Sequence, residues 1–242
     1  EIEKFIPQEY WSLQGEFTNK EDKKINSRLT VYEGNKVDKL DIKDEAQATK
    51  IYNDIKNSIF TVGSITKKEA RRNPYPAFTT STMQIESSRK LGLSANQTMR
   101  TAQKLYEGTE IKGETTGLIT YMRTDSVVMS NDAINQIRNF VTNNYGANYL
   151  PDTPRIYKSK AKNAQEAHEC IRPTNIDLTP KDIKQYITLE EFKLYEIIWQ
   201  RAVSSQMASA ILDQVAVDIT NQNKKIVLRA NGSTIKFPGM YK

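Results

Sequence analysis

Strand-like patterning at both ends of this 242-residue chain, with a helical block between, is the feature that most limits its fold. Near the start, Tyr10–Phe17 and Arg28–Tyr32 read as strands, because Leu29 and Val31 alternate with Thr30 and Tyr32. Gly34-Asn35 predicts a hairpin turn before Lys36-Val37, and Lys20–Lys24 reads as a solvated charged loop. A helix is expected over Glu45–Ser58 behind an Asp44 cap, with Ala48, Ile51, Tyr52, Ile55 and Ile59 as its apolar face. Phe60–Lys67 follows as a strand. At the far end Val215, Val217 and Ile219 alternate with polar residues. Ile226–Leu228 and Thr234–Phe237 come next, separated from each other by Asn231-Gly232. Neither group has enough strands for a core of its own, so the two must share one sheet. The expected fold is therefore α+β. A discontinuous β-rich domain of residues 1–79 and 209–242 is interrupted by a mostly helical domain of residues 80–208.

Within the block, Ser81 with Gln84 and Ser94 with Gln97 read as capping boxes opening two helices that break at Gly92-Leu93-Ser94. Ala95, Met99, Ala102, Leu105 and Tyr106 would line the buried side of the second. The pair suggests a helix-turn-helix, which serves DNA binding in some proteins and simple packing in others. Ser130 caps a helix over Asn131–Tyr145 with the stripe Ala133, Ile134, Ile137, Phe140 and Val141, closed by Gly146. Tyr149–Thr174, with three prolines, reads as loop. Thr179-Pro180 starts a short helix, and Thr188 with Glu191 opens a long one bearing Phe192, Tyr195, Trp199, Ala202 and Met207.

Composition narrows the chemistry. The 35 Lys and Arg against 29 Asp and Glu leave 35 − 29 = +6, which favours an anionic partner, nucleic acid first. One cysteine and one histidine exclude a disulfide framework and the usual zinc clusters. No apolar run approaches the length of a membrane span, and no secretory signal is visible. A chain opening at Glu1 and closing at Lys242 without a terminal cap reads as a piece of a longer protein.

One stretch carries a candidate chemistry. Leu118–Met122 is apolar and β-branched and reads as a strand. Alternation puts Tyr121 and Arg123 on one face, with Leu118, Thr120 and Met122 toward the core. A phenol can be a covalent nucleophile, and a guanidinium fork fits two phosphate oxygens. An exposed tyrosine beside a solvated arginine would have the same spacing, and spacing alone does not separate the two. Glu166, Glu169 and Arg172 could brace a loop by ion pairs, and Cys170 reads as a small buried residue.

The segment Ile119-Thr120-Tyr121-Met122-Arg123-Thr124-Asp125-Ser126 resembles the active-site segment of type IA DNA topoisomerases, most closely their bacterial topoisomerase I branch. Gln165-Glu166-Ala167-His168-Glu169-Cys170-Ile171-Arg172-Pro173 resembles a second family segment, with Cys170 in place of an alanine. Pro76-Ala77-Phe78-Thr79-Thr80-Ser81-Thr82 resembles a third, and the start from Glu1-Ile2 to Tyr10-Trp11 a fourth, all in the family's order. The resemblance implies a β-rich arch, or hinge, domain interrupted by a helical domain that holds the tyrosine. It implies an ATP-independent isomerase that cleaves and rejoins one DNA strand through a 5′-phosphotyrosine and relaxes negative supercoils. Tyr121 would be the nucleophile, Arg123 would stabilise phosphoryl charge, and His168 would position the scissile phosphate. Arg123, His168 and Arg172 would lie against DNA, with single-stranded segments preferred. A bacterial, cytoplasmic, nucleoid-associated enzyme is expected, with no membrane partner.

A phenol of ordinary pKa is about one part in a thousand ionised at neutral pH, so attack needs a proton acceptor or cationic support. The resemblance implies acidic residues, a lysine and Mg²⁺ from a separate Asp-x-Asp domain. No Asp-x-Asp occurs here, and Asp38, Asp41 and Asp44 read as solvent contacts. Mg²⁺ is thus expected for the full-length enzyme and not for this stretch, which lacks the Asp-x-Asp and gate domains. By itself the stretch is expected to be inactive in relaxation. The alternative is a non-catalytic helix-turn-helix module that binds DNA.

Overall fold

A computed structural model describes residues 2–158 and 169–242. In chain order its strands are β1 (Gln14–Thr18), β2 (Lys24–Tyr32), β3 (Asn35–Lys36), β4 (Phe60–Arg72), β5 (Thr109–Ile111), β6 (Glu114–Thr116), β7 (Ala210–Asn221) and β8 (Val227–Phe237). Its helices are α1 (Glu45–Lys56), α2 (Thr80–Leu91), α3 (Ala95–Glu107), α4 (Asn131–Tyr145), α5 (Pro180–Ile183) and α6 (Leu189–Ser205). The fold mixes helices with antiparallel strand pairs. It divides into two compact units, residues 1–70 with 212–236 and residues 71–211 with 237–242.

The first unit is built on a six-stranded sheet in the order β1-β2-β8-β7-β4, with β3 on β2. Strands from both ends of the chain therefore share one sheet, and β2 pairs β8 through Leu29 and Leu228. Those two residues, Ile226, Ile42 and the α1 residues Ala48 and Ile51 make its small core. Asp44 caps α1 by accepting from the Gln47 N–H at 2.8 Å. The apolar face expected on α1 is narrower than its sequence suggests, since Tyr52 and Ile59 are exposed.

Four strand readings are corrected. β1 starts at Gln14, so Tyr10–Leu13 is not strand, and β2 begins earlier, at Lys24. The β2–β3 turn is Glu33-Gly34, with φ of 50° and 83°, because Tyr32 pairs with Asn35. Two positive φ values are what a type I′ turn demands, and Gly34 meets one at no steric cost. β4 continues past Lys67 to Arg72. It is a sheet edge exposed along most of its length, where charged side chains carry no burial penalty. β8 runs unbroken through Asn231-Gly232, and Gly232 does not take the positive φ of a tight hairpin.

The second unit packs around α6. Leu194, Tyr195, Ile198, Ala202 and Val203 are buried against residues of α3, α4 and α5, and Met83 of α2 joins the same cluster. Tyr195 donates its hydroxyl to the Leu178 carbonyl at 2.7 Å, and Trp199 donates its indole N–H to the Ile176 carbonyl at 2.9 Å. The loop leading to α5 is thereby strapped to α6. The α4 stripe is buried as expected, and the Ser94–Gln97 and Thr188–Glu191 capping boxes form. The α2 box does not use Ser81. Thr79 is the cap and Thr82 its return partner, with the Thr79 N–H donating to the Thr82 hydroxyl at 2.8 Å. Thr-Thr-Ser-Thr offers several hydroxyls, and the bridge between Phe78 and Ile171 selects among them. On α3, Thr98 and Thr101 are buried while Ala95 and Tyr106 are exposed. The α2–α3 pair is present with its break at Gly92, which takes φ 70°.

Candidate active site

Residues 118–122 are not a strand. They form an extended loop with a single bridge, Ile119 to Pro173, flanked by two hydrogen bonds. The Thr120 N–H donates to the Arg172 carbonyl at 2.9 Å, and the Thr174 N–H donates to the Leu118 carbonyl at 3.1 Å. Pro173 has no N–H to extend the ladder. The alternation survives in part. Leu118 and Met122 are buried, Tyr121 and Arg123 are exposed, and Ile119 is buried against expectation.

Two threonines hold the loop, one on each side. The Thr80 hydroxyl, at the start of α2, donates to the Met122 carbonyl at 2.7 Å, with the Thr124 carbonyl at 3.0 Å, and accepts from the Thr124 N–H at 2.9 Å. The Thr120 hydroxyl donates to the Cys170 carbonyl at 2.7 Å and accepts from the Arg172 N–H at 3.0 Å. Buried Thr124 and Ser126 continue the stitching, each hydroxyl accepting from the N–H two residues on. The backbone on both sides of Tyr121 and Arg123 is thus fixed by groups shielded from competing water.

The tyrosine ring is also held. Tyr106, in the last turn of α3, meets Tyr121 edge to face at 5.4 Å between centroids. The two approach because the Leu118 N–H donates to the Leu105 carbonyl at 2.7 Å. A side chain on Gly117 would sit 2.7 Å from the Tyr106 carbonyl. Between α3 and Gly117 stands the short β5–β6 hairpin, whose three-residue strands carry no alternating apolar pattern in the sequence. Nothing in the sequence marks Tyr106, Thr80 and Thr120 as site residues. Two of them lie inside the quoted motifs, but only the fold shows that Thr80 reaches Met122.

On the neighbouring segment the Arg172 guanidinium engages Glu169, with Nη2 at 2.6 Å and Nε at 2.7 Å from one carboxylate oxygen, and Nη1 donates to the Pro173 carbonyl at 3.0 Å. Cys170 is fully buried. Burial pushes its thiol up to about 12, against the pull of nearby Arg172. His168, with Gln165 and Glu166, lies outside the described residues.

The family model described as DNA topoisomerase matches residues 1–242. The chain belongs to the DNA topoisomerase family. It is 48% identical to DNA topoisomerase 1 of Rickettsia bellii, covering all of this chain and 30% of that protein. It is 44% identical to DNA topoisomerase 1 of Xylella fastidiosa over 99% of this chain and 30% of that protein. Full-length topoisomerase I of Thermotoga maritima superposes with a TM-score of 0.76 at 28% identity, over 99% of this chain and 36% of that one. The chain thus spans about a third or less of the relatives it matches.

Topoisomerase chemistry raises the question of a divalent cation. Among the described residues no three His, Cys, Asp or Glu side chains cluster to hold one. Asp38 is paired with Lys36 at 2.6 Å, Asp41 accepts the Asp38 N–H, and Asp44 caps α1. The described residues of this topoisomerase chain therefore do not fit Mg²⁺ on their own. Nor, among them, is any helix long and apolar enough to cross a membrane.

Two outcomes follow from this geometry. Thr80→Val keeps the shape but strips the Thr124 N–H of its partner. It should cost about 1–3 kcal/mol in urea unfolding, and α2 should keep its Thr79 cap. Cys170 should resist a disulfide reagent at pH 8 until the chain is unfolded, since a thiol at about 12 leaves only about one part in ten thousand as thiolate. Prompt labelling in the native chain would contradict the burial.

Proposed function

We propose that this chain is the tyrosine-bearing part of a bacterial type IA DNA topoisomerase, an enzyme that breaks and rejoins one DNA strand without ATP and relaxes negative supercoils. The observation that carries the reading is the rigid mounting of an exposed phenol beside an exposed guanidinium, on backbone pinned by Thr80 and Thr120. The Tyr121 oxygen attacks the phosphorus of a phosphodiester. A bond forms to the 5′ phosphate, the phenol gives up its proton, and the 3′ oxygen leaves and takes one. The reverse attack by that hydroxyl reseals the strand. Arg123 offsets charge that builds on the phosphoryl oxygens, and His168 and Arg172 line the strand. The β-rich unit is the arch whose movement opens the gap. Proton transfer and Mg²⁺ come from parts of the enzyme outside this chain, so the chain alone does not relax plasmid. The work takes place on chromosomal DNA in the bacterial cytoplasm.

The test is a trapped adduct between the whole enzyme and an end-labelled oligonucleotide. Label 3′ of the break should stay on the protein, and label 5′ of it should not. The opposite pattern means a 3′-phosphotyrosine and ends the type IA reading. No adduct at all favours the binding-module alternative. In the same assay Arg123→Lys keeps the charge but loses the fork. Cleavage should fall about tenfold or more while oligonucleotide affinity changes little. Equal losses in both would make Arg123 a DNA anchor only.

A further inference from the structure

A second basic site lies in the same unit, outside the tyrosine loop. A cavity of about 510 Å³ opens beside α6, lined among others by Tyr75, Phe78, Glu86, Lys90, Trp199 and Arg201. That is room for a nucleotide-sized ligand. Arg201 lies against two rings, with its guanidinium carbon 5.0 Å from the centroid of Tyr75 and 4.5 Å from that of Phe78. Its Nε is buried with no hydrogen-bond partner. Among the described residues it forms no ion pair, because the one carboxylate in the lining, Glu86, is taken by Lys90 at 2.8 Å. Burial draws Arg201 below its ordinary value despite the opposing field of Glu86. Its buried Nε–H has no acceptor, and leaving a buried donor unmet is costly.

The rim says what kind of ligand fits. Tyr75 is 69% exposed. An open aromatic face beside a guanidinium with an unmet N–H makes a platform that can stack a base and hold the linking phosphate. We infer that this cavity is a second binding site for single-stranded DNA, with Arg201 on a phosphate and Tyr75 stacking on a base. The nature of the ligand rests on the proposed function, while the need for a hydrogen-bond acceptor rests on the Arg201 Nε itself.

The chain has two tryptophans, and one of them lines the cavity. Trp11→Phe therefore leaves Trp199 as the sole indole reporter. Titration with an eight-residue oligothymidylate should quench its fluorescence saturably. Arg201→Met and Tyr75→Ala should each weaken that binding about five- to tenfold. Lys68→Gln, an exposed charge change elsewhere, should weaken it less than about twofold. Tyr75→Ala keeps the test alive if Arg201→Met fails to fold, because an exposed ring contributes little to the core. Binding seen by anisotropy with no change at Trp199 and no effect of either variant overturns the proposal, as does an absence of binding. Equal quenching by hexaglutamate at matched concentration overturns the nucleic-acid assignment. None of these outcomes touches the covalent adduct, which tests the proposed function separately.

Discussion

Tyr121→Phe in the whole enzyme should abolish strand cleavage while leaving oligonucleotide affinity unchanged. The substitution removes one oxygen and keeps the ring, so the edge-to-face contact with Tyr106 at 5.4 Å remains. The Thr80 and Thr120 bonds that shape the loop involve backbone and do not depend on the phenol. What disappears is the only oxygen the proposal assigns to covalent attack. A residue that is the nucleophile leaves no slow route through the same intermediate. The expected readout is no covalent adduct by gel at any time, with an anisotropy titration that overlays the parent. Residual adduct at even a few per cent of the parent rate would move the nucleophile elsewhere. Loss of binding together with cleavage would make the phenol a contact and not the attacking group.

Met122→Ala should be the most damaging single core change near the site. Met122 lies between Tyr121 and Arg123 and is 0% exposed. Truncating such a methionine removes packed atoms and leaves a void, at about 2–5 kcal/mol. In a unit of this size that corresponds to a thermal midpoint lower by roughly 4–20 °C. The void lies in the core under the segment that carries Tyr121 and Arg123, so cleavage should fall further than the fraction unfolded accounts for. Met122→Leu, close in volume, should cost less than about 1.5 kcal/mol and recover most of the rate. If the alanine variant melts normally, Met122 does not anchor the loop. If it melts low but cleaves normally once folded, the loop keeps its shape without that anchor.

Much of this molecule was legible because some signals are local. A capping residue, an apolar stripe and a closing glycine lie within one helix, so α4 was read to its end residues from Ser130 to Gly146. The same holds for the boxes opening α3 and α6. The shared sheet was legible for a different reason. Two strand groups that cannot bury a face alone must bury it together, and β2 does pair with β8. The pairing of Tyr121 with Arg123 on one exposed side followed from alternation, which an extended loop shares with a strand.

The failures fall where distant contacts choose among local options. Thr79, and not Ser81, caps α2, because residues of this segment are tied to Ile171 and Thr124. Residues 118–122 had strand composition, but their partner contains Pro173 and the ladder stops after one bridge. Tyr52 and Ile59 looked like core and are exposed, since the small sheet covers only one narrow side of α1. Thr80, Thr120 and Tyr106 gave no sign of their work, because a hydroxyl or a ring becomes a positioning group only when the fold brings its partner across 15 to 50 residues. The sequence by itself determined most of the helices, the shared sheet, and the exposure of Tyr121 and Arg123 on one side of their segment. Tertiary structure alone decided how those side chains are held, because hydrogen bonds and ring contacts depend on distances in space that sequence spacing does not encode.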